Sequence, residues 1–100
     1  MKTITAPTPV TAGDSTVTLA DFVRHALLVD QRFNANGAGI RSAVMIEAAL
    51  DADPVKLEEA DYDRLLEAVE SPQPMQGMPP YRIRPARLCA PFLAAIKSAG

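Results

Sequence analysis

The sequence predicts a small, mainly α-helical fold, a bundle of about four helices preceded by an extended N-terminal arm. Apolar residues recur at the spacing of one helical face in several segments, and Pro and Gly interrupt the chain between those segments. The composition is that of an ordinary globular chain, with 48% hydrophobic and 22% charged residues. Because 100 residues leave room for one domain, we expect an arm over 1–17 and a single helical domain over 18–100.

The N-terminal segment lacks any helical period. Residues 1–17 are mostly Thr, Pro, Ala, Gly and Val, which predicts an extended arm rather than a core element. Thr18, followed three residues later by Asp21, resembles a capping box and predicts the start of a first helix over about 19–30. Its apolar face comprises Leu19, Phe22, Val23, Ala26 and Leu27.

A second helix is predicted over about 38–51, after the turn signal Asn36-Gly37. Its apolar residues spread over more than one face, so we expect this helix to be the most buried element and the centre of the fold. The side chains expected to be almost wholly buried are those of Ile40, Val44 and Leu50.

The next segment begins at Asp53-Pro54, which ends the second helix. Residues 55–57 alternate like a short strand, and residues 81–84 alternate in the same way, so the two are candidates for a two-stranded β pairing. Between them, a stripe of Tyr62, Leu65, Leu66 and Val69 predicts a third helix over about 58–70.

Proline shapes the rest of the chain. Residues 71–80 contain four prolines and are predicted to form a loop. Pro85 fits the first position of a last helix over about 85–98. Pro91 lies inside that helix and is expected to kink it or to split it into two pieces.

Charge is segregated along the second half of the chain. Residues 51–70 contain eight acids and two basic residues, whereas residues 71–100 contain four basic residues and no acid. Opposite charge blocks on one small surface favour docking, within the chain or onto another molecule. The predicted acidic complementary face comprises Glu58, Glu59, Asp61, Asp63, Glu67 and Glu70.

The loop and the basic segment after it supply the candidate partner-binding residues. Methionines among prolines offer adaptable apolar anchors that lose little entropy on ordering, and neighbouring arginines give such an interface a charged edge. The candidates are Met75, Met78, Tyr81, Arg82, Arg84 and Arg87. Two alternatives stay open at this point: the methionines fold back onto the core, and the arginines pair with the acidic helix.

The chain offers little for catalysis, so we expect no enzyme, no cofactor and no metal site. His25 is the only histidine and Cys89 the only cysteine, so a histidine-based metal site would lack further His or Cys ligands. No apolar run approaches the length of a membrane span, and the N-terminus has no signal-peptide core. We therefore expect a cytoplasmic protein with no membrane partner.

Nucleic acid is the main rival partner. Arg82, Arg84 and Arg87 lie within six residues and could contact phosphates. However, the acidic block and the sequence pI of about 5.2 have the wrong sign for a protein that must release counterions from a polyanion. Nucleic acid is therefore the less favoured partner.

Several segments resemble small proteins of tailed bacteriophages and prophages. They are the stretch Arg32–Arg41, the Ala-rich helix through Leu50, the helix start Leu57–Tyr62 and the closing stretch Pro85–Ile96. The resemblance implies a non-enzymatic viral protein that works by contact, as a head or tail component or an assembly factor, or as a small inhibitor of a host protein. Such a protein acts in the host cytoplasm or, if structural, in the virion. The expected function is thus a protein–protein interaction module, with self-association as one form of it.

Overall fold

The computed structural model describes residues 1–100 and has an α+β fold, with four α-helices and two small antiparallel sheets. The helices are α1 (Leu19–Val29), α2 (Gly37–Ala49), α3 (Glu59–Glu70) and α4 (Ala90–Lys97), with 3₁₀ turns at Gln31–Phe33 and Ala86–Cys89. The strands are β1 (Lys2–Ile4), β2 (Val10–Ala12), β3 (Ser15–Val17) and β4 (Val55–Leu57).

The expectation of a mainly α-helical bundle with an extended arm is wrong, because the N-terminal segment builds strands. β2 and β3 form a hairpin with a two-residue turn, in which Gly13 has a φ of +61°. Such turns need a positive φ, which glycine adopts most easily. β1 lies antiparallel to β4, with Ile4 opposite Val55. Ile4 and Val17 are buried in the core. The absence of a helical period in 1–17 was compatible with short strands as much as with an arm.

The predicted partner of β4 is also wrong. Residues 55–57 do form a strand, but they pair with β1, and residues 81–84 form no strand. Prolines at 79, 80 and 85 flank that segment, and they have no backbone N–H to extend a ladder. Ile83 is nevertheless buried, while Arg82 and Arg84 are exposed.

The positions predicted for the helices agree with the structure. The capping box is confirmed: the Asp21 backbone N–H donates to Thr18 Oγ1 (3.2 Å), and the Thr18 N–H donates to Asp21 Oδ2 (3.1 Å). This hydrogen bond from the Thr18 backbone lowers the pKa of Asp21. The last predicted helix is split, as expected, into the 3₁₀ turn Ala86–Cys89 and α4.

The core lies between α1, α3, α4 and the strands. The Phe22 ring of α1 stacks on the rings of Phe92 and Tyr81, with centroids 5.1 and 5.9 Å apart. The Tyr62 hydroxyl donates to the carbonyl oxygen of Ile96 (2.6 Å) and so joins α3 to α4. Burial raises the pKa of Tyr62.

The second helix is not the buried centre of the fold. Ile40 and Val44 are 49% and 62% exposed, which contradicts their predicted burial, whereas Leu50 is buried as predicted. Only Gly39, Ser42 and Ile46 of α2 are buried. A chain of this length has too little surface to wrap a central helix on every side, so α2 packs through one face and exposes the other.

This arrangement predicts opposite results for two neighbouring truncations in α2. Ile46→Ala is expected to destabilise the fold by about 2–4 kcal/mol, because it removes methyl groups from a fully buried site. Val44→Ala is expected to change the free energy of unfolding by less than about 0.5 kcal/mol, because its side chain is largely in water. Urea unfolding of both variants measures the difference. Equal losses at a protein concentration where the chain is monomeric would place Val44 in the core.

Candidate interaction surface

The most unusual feature of the surface is a concentration of exposed apolar side chains around α2. The structure exposes six large hydrophobic residues: Met1, Leu28, Ile40, Val44, Met45 and Met78. All of them except Met78 lie on α2 or line grooves beside it. We call the exposed group Met1, Leu28, Ile40, Val44, Met45 and Ala48 the α2 patch.

Two grooves flank the exposed side of α2. One, of about 480 Å³, lies between α1 and α2, and Leu27, Leu28 and Val44 are in its wall. The other, of about 290 Å³, lies between α2 and β4, and includes Met1 and Met45. Ala48 lines both grooves, so the α2 patch is continuous from one to the other.

Charged residues surround this apolar surface. Arg24 of α1 contacts two acids at the C-terminal end of α2. Its Nε lies 2.9 Å from Glu47 Oε1, and its Nη2 lies 3.4 Å from Asp51 Oδ1. The hydrogen bond that Arg24 donates to the Glu47 carboxylate raises the pKa of the Arg24 guanidinium. Arg41, in the first half of α2, is exposed and forms no ion pair. The patch thus has an unpaired cation near one end and an acidic cluster near the other.

Polar contacts hold α2 in place although much of it is exposed. At its start, the Asn36 side chain accepts a hydrogen bond from the Gly39 N–H (2.9 Å), which satisfies one free donor of the first turn. Ser42 Oγ donates to Asp61 Oδ1 of α3 (2.7 Å), and the Arg64 guanidinium donates to Ser42 Oγ and to the Ala38 carbonyl oxygen. These contacts fix the face that α2 presents to solvent.

The loop proposed as a partner-binding site is tied to the domain. The carboxylate of Asp30 accepts hydrogen bonds from the backbone N–H of Gln73 (2.9 Å) and from Arg32, while Arg32 Nη2 donates to the Ser71 carbonyl oxygen (2.8 Å). The Met75 N–H donates to the carbonyl oxygen of Val29 (2.7 Å). The loop is therefore ordered by α1 and the turn after it.

The candidate residues of the loop and its end differ in exposure. Met75 is half-buried and Met78 is 36% exposed. Tyr81 packs against Phe22, and its hydroxyl donates to the Val69 carbonyl oxygen (2.6 Å); burial raises its pKa. Tyr81 thus has a role in packing, and a role of Met75, Met78 and Tyr81 in binding stays a prediction.

The basic and acidic blocks contact each other at one ion pair, between Lys97 and Glu70. Arg82, Arg84 and Arg87 are exposed and form no ion pair. Arg82 and Arg84 line a polar groove of about 480 Å³ beside the β2–β3 hairpin.

Two acids of α3 lie close to cations. Glu67 Oε1 lies 3.8 Å from Arg32 Nε, and Glu70 Oε1 lies 3.9 Å from Lys97 Nζ. Asp61 is engaged by Ser42, as described above, and Glu58, Glu59 and Asp63 form no ion pair. Three of the six acids of the predicted acidic face thus contact α2, the turn after α1 or α4, and a role of this face in docking stays a prediction.

His25 and Cys89 are the two residues that were considered as metal ligands. His25 Nε2 lies 3.0 Å from the carbonyl oxygen of Pro79. Cys89 is buried, and burial raises the pKa of its thiol. No three His, Cys, Asp or Glu side chains lie close enough together to hold a metal ion. None of the helices has the length and apolar character needed to cross a membrane.

Comparison with known proteins gives no relative. Searches found no matching protein family, no matching curated protein and no matching solved structure.

Proposed function

We propose that this chain is a non-enzymatic protein–protein interaction module that binds through the α2 patch. The observation that carries the proposal is the continuity of exposed apolar side chains from Leu28 across Val44 to Met45 and Met1. Burial of apolar surface is favourable by about 25 cal/mol of free energy per Å². Large continuous apolar patches are therefore typical of binding sites.

The biological setting of the proposal comes from the resemblance to small phage proteins. A head or tail component and an assembly factor both work by repeated protein contacts, for which an ordered apolar patch is suited. A small inhibitor of a host protein would use a single contact of the same kind. The setting is supported by the resemblance of four segments, from Arg32–Arg41 to Pro85–Ile96, to small phage proteins.

Chemical cross-linking in the producing cells tests the proposal. Lys56 lines the groove between α2 and β4, whereas Lys97 lies on α4 and lines no groove of the patch. We expect intermolecular cross-links through Lys56 that disappear when Val44→Glu places a charge in the patch. Thermal unfolding of this variant checks that the fold is retained, as the exposure of Val44 predicts.

Met78→Ser serves as the comparison variant, because it removes the one exposed large hydrophobic residue outside the patch. Cross-links that persist in Met78→Ser and vanish in Val44→Glu support the α2 patch. The reverse pattern would move the interface to the loop 71–80 and overturn this assignment.

A nucleic-acid-binding regulator is the second candidate function. It is favoured by the three exposed arginines at 82, 84 and 87, which have no carboxylate partner. The net charge of −2 argues against it, because nonspecific affinity for a polyanion depends on neutralising its phosphates.

We expect no micromolar, salt-sensitive binding of the protein to random-sequence DNA or RNA, measured by fluorescence anisotropy at two salt concentrations. The reference is the triple variant Arg82→Gln, Arg84→Gln, Arg87→Gln. Binding by the unmodified protein that weakens with salt and is lost in the triple variant would favour the regulator instead.

A further inference from the structure

We propose that the occupant of the α2 patch is a second copy of this chain, bound across a twofold axis near Val44 with the two α2 helices antiparallel. This inference rests on the proposed function and names the partner of that same surface. Its support is the shape of the patch and the positions of the charges around it.

The shape of the patch is suited to packing against itself. Ile40, Val44 and Ala48 are spaced four residues apart and form one ridge on the exposed side of α2, since such residues lie above one another on a helix. A groove runs on each side of this ridge. Two helices pack when the ridge of one enters a groove of the other, and this surface provides both parts.

The antiparallel arrangement also gives each large residue of the ridge a small neighbour. Around an axis at Val44, residues equally distant from Val44 on its two sides come level with each other. Ile40 of one copy is then level with Ala48 of the other, and the small alanine leaves room for the isoleucine. Because the axis is twofold, this contact occurs twice.

The charges around the patch complement each other in the same arrangement. Arg41 precedes Val44 by three residues and Glu47 follows it by three, so Arg41 comes level with Glu47 of the second copy, on the other side of the ridge, and the two long side chains can meet across it. Arg41 forms no ion pair within its own chain. Glu47 uses Oε1 for Arg24, which leaves Oε2 for Arg41 of the second copy. A parallel pair would instead bring like charges level, which is unfavourable.

Sedimentation velocity of the full chain tests this inference. We expect a monomer–dimer equilibrium for the unmodified protein and for Met78→Ser. Val44→Glu is expected to abolish the dimer, because it places two like charges beside the axis. Arg41→Glu and Glu47→Arg are each expected to raise the dissociation constant by about tenfold or more, and thermal unfolding of each variant checks the fold.

A mixture of the two charge variants gives the most specific result. A copy with Arg41→Glu carries acids at positions 41 and 47, and a copy with Glu47→Arg carries arginines at positions 41 and 47. In the antiparallel pair every acid is then level with an arginine of the other copy, so the equimolar mixture is expected to form a heterodimer more readily than either variant forms a homodimer. A partner unrelated to this chain would not produce that rescue.

Two results would overturn the inference. One is a protein that stays monomeric up to roughly 1 mM, which limits any self-association to the weakest range. The other is a dimer that forms without rescue in the mixture. In either case, Lys56 cross-links that are lost in Val44→Glu, whether to a different protein or to a second copy in another arrangement, would leave the proposed function standing, whereas the absence of any such cross-link would remove both.

Discussion

Gly39→Ala is expected to destabilise the protein by about 3 kcal/mol or more, whereas the same change at Gly37 is tolerated. Gly39 is buried where the first turn of α2 lies against the backbone after α1. A Cβ at this position would overlap the carbonyl oxygen of Arg32 and would lie 3.4 Å from the Cα of Phe33. Backbone atoms cannot rotate away as a side chain can, so α2 would have to move.

Gly37→Ala is the matched control for this change. The nearest atom to a Cβ at Gly37 is Nη1 of Arg41, at 3.6 Å, which is the end of a flexible side chain. Alanine favours the helix there and restricts the unfolded chain, so the variant is expected to be neutral or to be stabilised by about 0.5 kcal/mol. Urea unfolding of both variants measures the difference, and a loss below about 1 kcal/mol in Gly39→Ala would contradict the close packing of α2.

Local signals predicted the helices well. The start of α1 depends on Thr18 and Asp21, which are three residues apart, and the loop 71–80 depends on its own prolines. Both features are decided by neighbours in sequence, and both were predicted. The pairing of β1 with β4 joins Lys2 to Leu57, so it depends on contacts across more than half of the chain. Three-residue strands carry too little periodicity to reveal such a partner.

The α2 patch was missed for a different physical reason. An apolar residue in a helix predicts burial, but it does not say whether the covering surface belongs to the same chain. Ile40, Val44 and Ala48 share one side of the helix, and Gly39, Ser42 and Ile46 share the other. A helix that is apolar on both sides in a chain this short is the pattern that the proposed external partner would explain. The sequence-based interpretation instead placed that partner at the loop.

Asp30→Asn is the second change for which we expect a large effect, a loss of about 3–5 kcal/mol of folding stability. Asp30 is buried, with 2% of its surface exposed. Its carboxylate accepts hydrogen bonds from the backbone N–H groups of Arg32 and Gln73, both at 2.9 Å, and from the Arg32 guanidinium. Asparagine keeps the shape, but it removes the negative charge beside Arg32 and turns an N–H donor toward groups that also donate.

No local pattern could indicate this role, because Gln73 approaches Asp30 from 43 residues away. The contact matters beyond stability, since Asp30 and Arg32 are what hold the start of the loop 71–80 against α1. We therefore expect Asp30→Asn to increase hydrogen exchange at the amides of Gln73 and Met75, which bond to Asp30 and Val29. Opening of the loop would precede global unfolding.

Asp51→Asn is the matched control, because it makes the same replacement at an exposed ion pair. The Asp51 side chain is 83% exposed and makes one contact, to Arg24 at 3.4 Å. Exposed pairs of this kind contribute little, so the expected change is within about 0.5 kcal/mol. Urea unfolding and hydrogen exchange of the two variants separate the cases. Similar stability in both, with the loop amides still protected in Asp30→Asn, would show that the buried carboxylate does not anchor the loop.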